Sequence, residues 1–168
     1  MNRFGQIALL FALTGAVAAP ALAAGMSPIK SQAQTIHYRL ELQIGPTEKM
    51  FSAPDAAAKH LTDGEVMVGG SMSTMGMSMD MADTRHLEIH VYSLDGGKLV
   101  TDANVAIAVT NSNTKKVEDV PPAKMYGIKE GPSDTHFGNN VSMPPGPYSV
   151  GVSVNGEKAE FNVVVPPA

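Results

Sequence analysis

Tyr148-Ser-Val150-Gly-Val152-Ser-Val154-Asn155-Gly156-Glu-Lys-Ala-Glu-Phe161-Asn-Val163-Val-Val165 decides the fold class. Tyr148, Val150, Val152 and Val154 recur at every second position, and Phe161, Val163 and Val165 repeat the pattern beyond Asn155-Gly156. Period two is the repeat of a strand with one buried face. Asn-Gly readily adopts the positive φ angles of a tight hairpin turn, so two antiparallel strands are expected here.

Working outward, the same signal returns. Val105, Ile107 and Val109 alternate before the turn Asn111-Ser112-Asn113, and Leu87, Ile89 and Val91 alternate before Asp95-Gly96-Gly97. From Thr35 to Ile44, Ile36, Tyr38, Leu40, Leu42 and Ile44 share one face, with His37, Arg39, Glu41 and Gln43 on the other. Weaker strands are expected over Glu65–Val68, Val117–Val120 and Met125–Ile128, with one helical turn or a loop over Ala53–Leu61. The stretch from Lys129 to Asn140 is polar and punctuated by Gly and Pro, and is expected as a loop. Short alternating strands with regularly spaced turn signals predict an all-β, antiparallel β-sandwich.

The amino terminus reads differently. Asn2 and Arg3, an apolar run from Ile7 to Ala18, and Ala21-Leu22-Ala23-Ala24 have the order of a secretory signal peptide over residues 1–24. Its removal leaves 144 residues with 11 Lys and Arg against 16 acids, a formal charge of −5. That acidity argues against nucleic acid as a partner and favours cations. Residues 25–34 are expected as a flexible mature N-terminus, and 35–168 as the sandwich domain. The expected location is the periplasm. The chain has 0 Cys, so any soft metal ligand must be methionine.

Two features carry chemistry. In the Met-rich segment at 67–81, Met72 and the alternating Met75, Met77, Met79 and Met81 offer thioethers, which favour Cu(I). Immediately afterwards His86, Glu88 and His90 fall on one strand face if Leu87, Ile89 and Val91 face the core. His136, within Asp134-Thr-His136-Phe-Gly-Asn, is placed to join them from a folded-over loop, and His37 is a further outward histidine. The candidate metal ligands are therefore His86, His90, His136, Glu88, Met77, Met79 and Met81. Copper is the expected ion, with iron or manganese alongside, and bound ions should be lost as pH falls through histidine's titration range. The plain alternatives are a polar outer strand face, and methionines that fill core gaps or form a greasy partner surface. The latter would make the chain an adhesion or complex-assembly module. Met50, Met67, Met125 and Met143 sit among apolar residues and are expected to fill the core. No nucleophile elbow, Walker loop or cysteine nucleophile is present, so no enzyme is expected.

His86-Leu-Glu88-Ile-His90 and Gly131-Pro-Ser-Asp-Thr-His136-Phe-Gly-Asn-Asn-Val141 resemble motifs of the periplasmic, copper-dependent proteins of high-affinity iron uptake. That family has three residues between its strand glutamate and histidine, where this chain has one between Glu88 and His90. The resemblance implies an immunoglobulin-like sandwich, often dimeric, that binds copper through methionine and histidine. It further implies iron captured beside the copper for delivery to an inner-membrane permease.

Overall fold

The computed structural model describes residues 27–69 and 83–167. Among the described residues eleven strands and one short α-helix follow one another: β1 (Ile29–Gln34), β2 (Tyr38–Pro46), β3 (Met50–Ser52), α1 (Ala53–Ala58), β4 (Glu65–Gly69), β5 (Thr84–Ser93), β6 (Val105–Asn111), β7 (Val117–Val120), β8 (Ala123–Gly127), β9 (His136–Ser142), β10 (Gly146–Val154) and β11 (Glu157–Val165). They form a seven-stranded sheet in the order β1-β2-β5-β9-β8-β4-β3 and a four-stranded sheet in the order β11-β10-β6-β7. Every pairing is antiparallel except that of β3 with β4. The fold is an all-β sandwich.

The hairpin predicted from Asn155-Gly156 forms with Val154 opposite Glu157, and both turn residues have positive φ, 51° and 91°. Its inward residues Val150, Val152, Val154, Phe161, Val163 and Val165 pack with Ile107 and Val109 from β6. Across the interface lie Leu40, Leu42 and Ile44 from β2, Leu87, Ile89 and Val91 from β5, and Phe137 and Val141 from β9. Each such side chain, fully buried, contributes about 1.5–3 kcal/mol. The alternation read from the sequence is thus the division between core and outer face.

Three expectations are corrected. Residues 29–34 are not a loose terminus but the edge strand β1, paired with β2 from Ile29↔Ile44 to Gln34↔Arg39. Its half-buried positions hold only Ile29, Ser31 and Ala33, too weak an apolar signal to read. Ile36 is 79% exposed rather than inward, because Thr35 N–H donates to Tyr38 O (2.8 Å) and sets Ile36 and His37 at the hairpin tip. His136 does not lie in a loop: it opens β9, after a 3₁₀ turn over Gly131–Asp134.

Candidate metal centre

Because Leu87, Ile89 and Val91 face the core, His86, Glu88 and His90 project from the other face of the same strand. Strand register then fixes their neighbours. Gly45, Gln43 and Glu41 of β2 stand beside His86, Glu88 and His90. On the other side, Asn140 pairs with His86 and Gly138 with Glu88. Carried one step further, the ladder sets His136 beside His90, and their rings lie 5.2 Å apart. The rings of His86 and His136 lie 5.8 Å apart. Gly138 separates the Asn140 and His136 positions on β9, and a Cβ there would meet Leu87 O at 1.8 Å, so no larger residue fits between the histidines.

This outer face is covered. Thr47 Oγ1 donates to Thr84 O (2.8 Å), and Asn140 Nδ2 donates to Glu48 O (2.8 Å), which draws the segment after β2 across it. The 3₁₀ turn brings Asp134 against His90, with Oδ1 3.1 Å from Nε2. Strand β4 brings Glu65. His86 and His136 are consequently fully buried, and Glu65 and Glu88 nearly so.

Hydrogen bonds fix which ring nitrogens are free. His136 Nδ1 lies 2.9 Å from Asp134 O, and a carbonyl only accepts, so Nδ1 carries the proton. The Asn140 amide nitrogen donates to Glu48, so its Oδ1 faces His86 Nδ1 at 3.0 Å and accepts the hydrogen bond of the Nδ1–H. Each ring therefore turns an Nε2 lone pair inward. His86 Nε2, His136 Nε2 and Glu65 Oε2 are buried with no hydrogen-bond partner among the described residues. Leaving such atoms unmatched costs about 1–3 kcal/mol each, which calls for an explanation.

A metal ion supplies one. Glu65, His86 and His136 offer ligand atoms all within 4.8 Å of one another, and so do Glu88, His90 and His136. His136 Nε2 and Glu65 Oε2 are 3.6 Å apart. Two ligands about 2.1 Å from one tetrahedral ion would be about 3.4 Å apart. Asn140 and the Asp134 carbonyl orient the rings as outer partners of metal-bound histidines usually do. His136 has a single free lone pair, so the two groups describe one ion's surroundings rather than two filled sites.

Burial sets the protonation states. Desolvation lowers His86 and His136 to about 4, so both are neutral and able to ligate at pH 7. Desolvation first, and then the carboxylates of Glu88 and Asp134, raise Glu65 to about 8. Glu88 is raised to about 7, again by desolvation, against a lowering hydrogen bond from Gln43. An arriving cation would release protons from both carboxyls. An acidic cavity of about 350 Å³ adjoins these groups, lined by Glu48, Asp63, Glu65, Glu88, Glu130 and Asp134, with Lys30 and Lys129 beside them. A larger concavity, about 450 Å³, lies on the four-stranded sheet along Ala106, Ala108 and Gly151, but holds no unpartnered buried group of this kind.

Of the residues expected from sequence, His86, Glu88, His90 and His136 converge. Met77, Met79 and Met81 lie outside the described residues. His37 does not join them: its side chain is 72% exposed and pairs with Glu157. Glu65, Asn140 and Asp134 were not foreseen. For Glu65 a faint signal existed, since it shares a strand face with Met67; nothing local announced the other two. The chain matches no family model and no curated protein.

Proposed function

We propose that this chain is an exported metal-binding protein that holds one copper ion and serves periplasmic copper or iron handling. The observation that carries the metal reading is the trio of unpartnered buried atoms, Glu65 Oε2, His86 Nε2 and His136 Nε2. Copper is favoured by imidazole donors beside a chain segment rich in thioethers, and by the resemblance of the strand and loop motifs. The basic and apolar opening of the sequence supports export. The acidic cavity supports capture, since like charges in a cleft concentrate cations. Methionines of the 72–81 run would then take the ion by stepwise ligand exchange and pass it to a membrane permease or another carrier. Carriage rather than turnover is the role.

The test is anaerobic titration of the metal-stripped mature protein with Cu(I), Cu(II), Fe(II), Mn(II) and Zn(II), read by native mass spectrometry. One tight copper equivalent, absent from a His86→Gln/His136→Gln double variant, is the expected result. If wild type retains no ion better than that variant, the metal reading fails.

A further inference from the structure

The acidic cavity beside the centre holds two cations of its own. Apart from Gly64, every residue that lines it carries a charge or an amide, six carboxyls against two ammoniums. One of the six is Glu65, whose Oε2 is buried without a partner among the described residues. The lysines come from opposite flanks, since β1 lies two places from β5 on one side and β8 two places on the other. Lys30 of β1 stands in one outward row with Gln43 and Glu88, and the Gln43 amide donates to Glu88 Oε2 (3.1 Å). Lys129 follows β8, with its Nζ 2.7 Å from Asp63 Oδ1. Ile128 N–H donates to Gly64 O (2.9 Å), which ties the Lys129 and Asp63 segments together. Both partners of that ion pair are exposed, at 65% and 79%, so it adds little to stability. Stability therefore does not account for the lysines.

We propose that Lys30 and Lys129 are tethered counter-ions that deny the cavity to hard divalent cations such as Ca(II) and Mg(II), and so reserve the centre for an ion that histidine binds. This rests on the metal-binding reading above and deepens it by naming residues that set selectivity. Oxygen donors alone suit Ca(II), Mg(II) and Mn(II), whereas imidazoles suit copper and zinc. The cavity's own acids offer only oxygen. His86 and His136 do not line it, and their Nε2 atoms approach it through Glu88 and Glu65, at 4.0 Å and 3.6 Å. A volume of about 350 Å³ has room for a hydrated ion, since one water takes about 30 Å³. Extracellular calcium sites work at about 10⁻⁴–10⁻³ M, so a bare oxygen cluster on an exported chain would fill. An ammonium on each flank occupies carboxylate oxygens and repels a second cation from well within the Debye length of about 10 Å. Even with Glu65 and Glu88 protonated, the other carboxylates outnumber the two ammoniums, so the field still draws cations inward. The lysines remove the resting place and leave the attraction.

The experiment compares four forms of the full mature chain. They are wild type, Lys30→Gln/Lys129→Gln, Lys30→Arg/Lys129→Arg, and the glutamine pair with Glu48→Gln and Glu130→Gln added. Ca(II) and Mg(II) binding to the metal-free proteins is read by calorimetry at one fixed ionic strength, because salt alone screens the lysine charges. Wild type and the arginine pair should hold neither ion. The glutamine pair should gain one Ca(II) equivalent with a Kd of about 1 mM or tighter, lost again when Glu48 and Glu130 are neutralised. Its melting temperature should stay level, since both lysines are exposed. Cu(I) affinity is then read by competition with a chromogenic chelator. Without Ca(II) the glutamine pair should match wild type within about fivefold. With Ca(II) at ten times the measured Kd, its copper affinity should fall about tenfold while that of wild type does not move. The proposal is overturned if the glutamine pair binds no more Ca(II) than wild type, or if its Ca(II) survives neutralisation of Glu48 and Glu130. A wild type that binds Cu(I) no better than the His86→Gln/His136→Gln control would overturn the metal-binding reading and the selectivity role with it. The calcium titration would still decide separately whether the lysines close the cavity.

Discussion

Strand β5 has two buried faces that do opposite things. On one, Leu87, Ile89 and Val91 are each fully buried against the four-stranded sheet. On the other, His86 is fully buried and Glu88 is 8% exposed, beneath Asp134, the Glu48 segment and Glu65 of β4. The first face removes apolar surface from water and stabilises the fold. The second removes imidazoles and carboxyls from water, which disfavours their charged forms and leaves three atoms unmatched. Stability is generated on one side of a strand and consumed on the other, a pattern common at sites selected for binding.

The comparison breaks most easily on its hydrophobic side. Ile89→Ala should lower the unfolding free energy by about 2–5 kcal/mol, measured by denaturant titration of the metal-free protein. A cost under about 1 kcal/mol would mean that this face is not the stabilising one. The opposite face should answer differently. His86→Leu removes a desolvated ring and should change metal-free stability by no more than about 1 kcal/mol, because the loss of its bond to Asn140 is offset by relief of an unmatched nitrogen. Metal affinity should nevertheless fall by more than the roughly 100-fold that an orienting residue controls. A variant that was both strongly destabilised and still metal-competent would make His86 a structural residue.

Asn140→Ala sharpens the contrast within the polar face. Asn140 does not point a free atom into the candidate centre; it holds His86 through Oδ1 and the Glu48 backbone through Nδ2. Its loss should weaken binding by about 10–100-fold with the same ligand set retained, as read by the spectrum of a Co(II)-substituted protein.

These residues also show how far a sequence can be read. The alternation of Leu87, Ile89 and Val91 is local, so both β5 and the shared face of His86, Glu88 and His90 were legible. What covers that face was not, because the cover comes from distant chain segments, such as Asp134 against His90, 44 residues away. Without it, a polar strand face reads as solvated. Glu65 was missed for the same reason: its meaning depends on β4 lying next to β8, a neighbour relation set by sheet order. Ile29–Gln34 escaped because an edge strand needs few apolar residues. Met125 is buried as its apolar neighbours suggest, but those neighbours cannot tell which of the two buried sheet faces it serves.

Burial also changes which groups set the pH dependence. Histidines of ordinary pKa would release the ion as pH falls from 8 to 5, but His86 and His136 titrate at about 4. Both are neutral through that range, so the glutamates, raised to about 8 and about 7, govern it. Their folded-state values lie above the unfolded one, so their contribution to metal-free stability is full below about pH 4.5 and is lost as pH rises through 7 and 8. The histidines act with opposite sign, since their depressed values withdraw stability as pH falls from about 6.5 towards 4. Between 4.5 and 6.5 the two effects oppose; above 6.5 only the glutamates remain. The melting temperature of the metal-free protein should therefore drop by a few degrees from pH 6.5 to 8, while that of the loaded protein, whose carboxylates the ion keeps charged, should stay level. Calorimetry in buffers of different ionisation enthalpy should find about one proton released per ion near pH 7, reduced in Glu65→Gln. If release instead peaked near pH 6 and ignored Glu65→Gln, exposed histidines rather than the buried centre would be taking the metal.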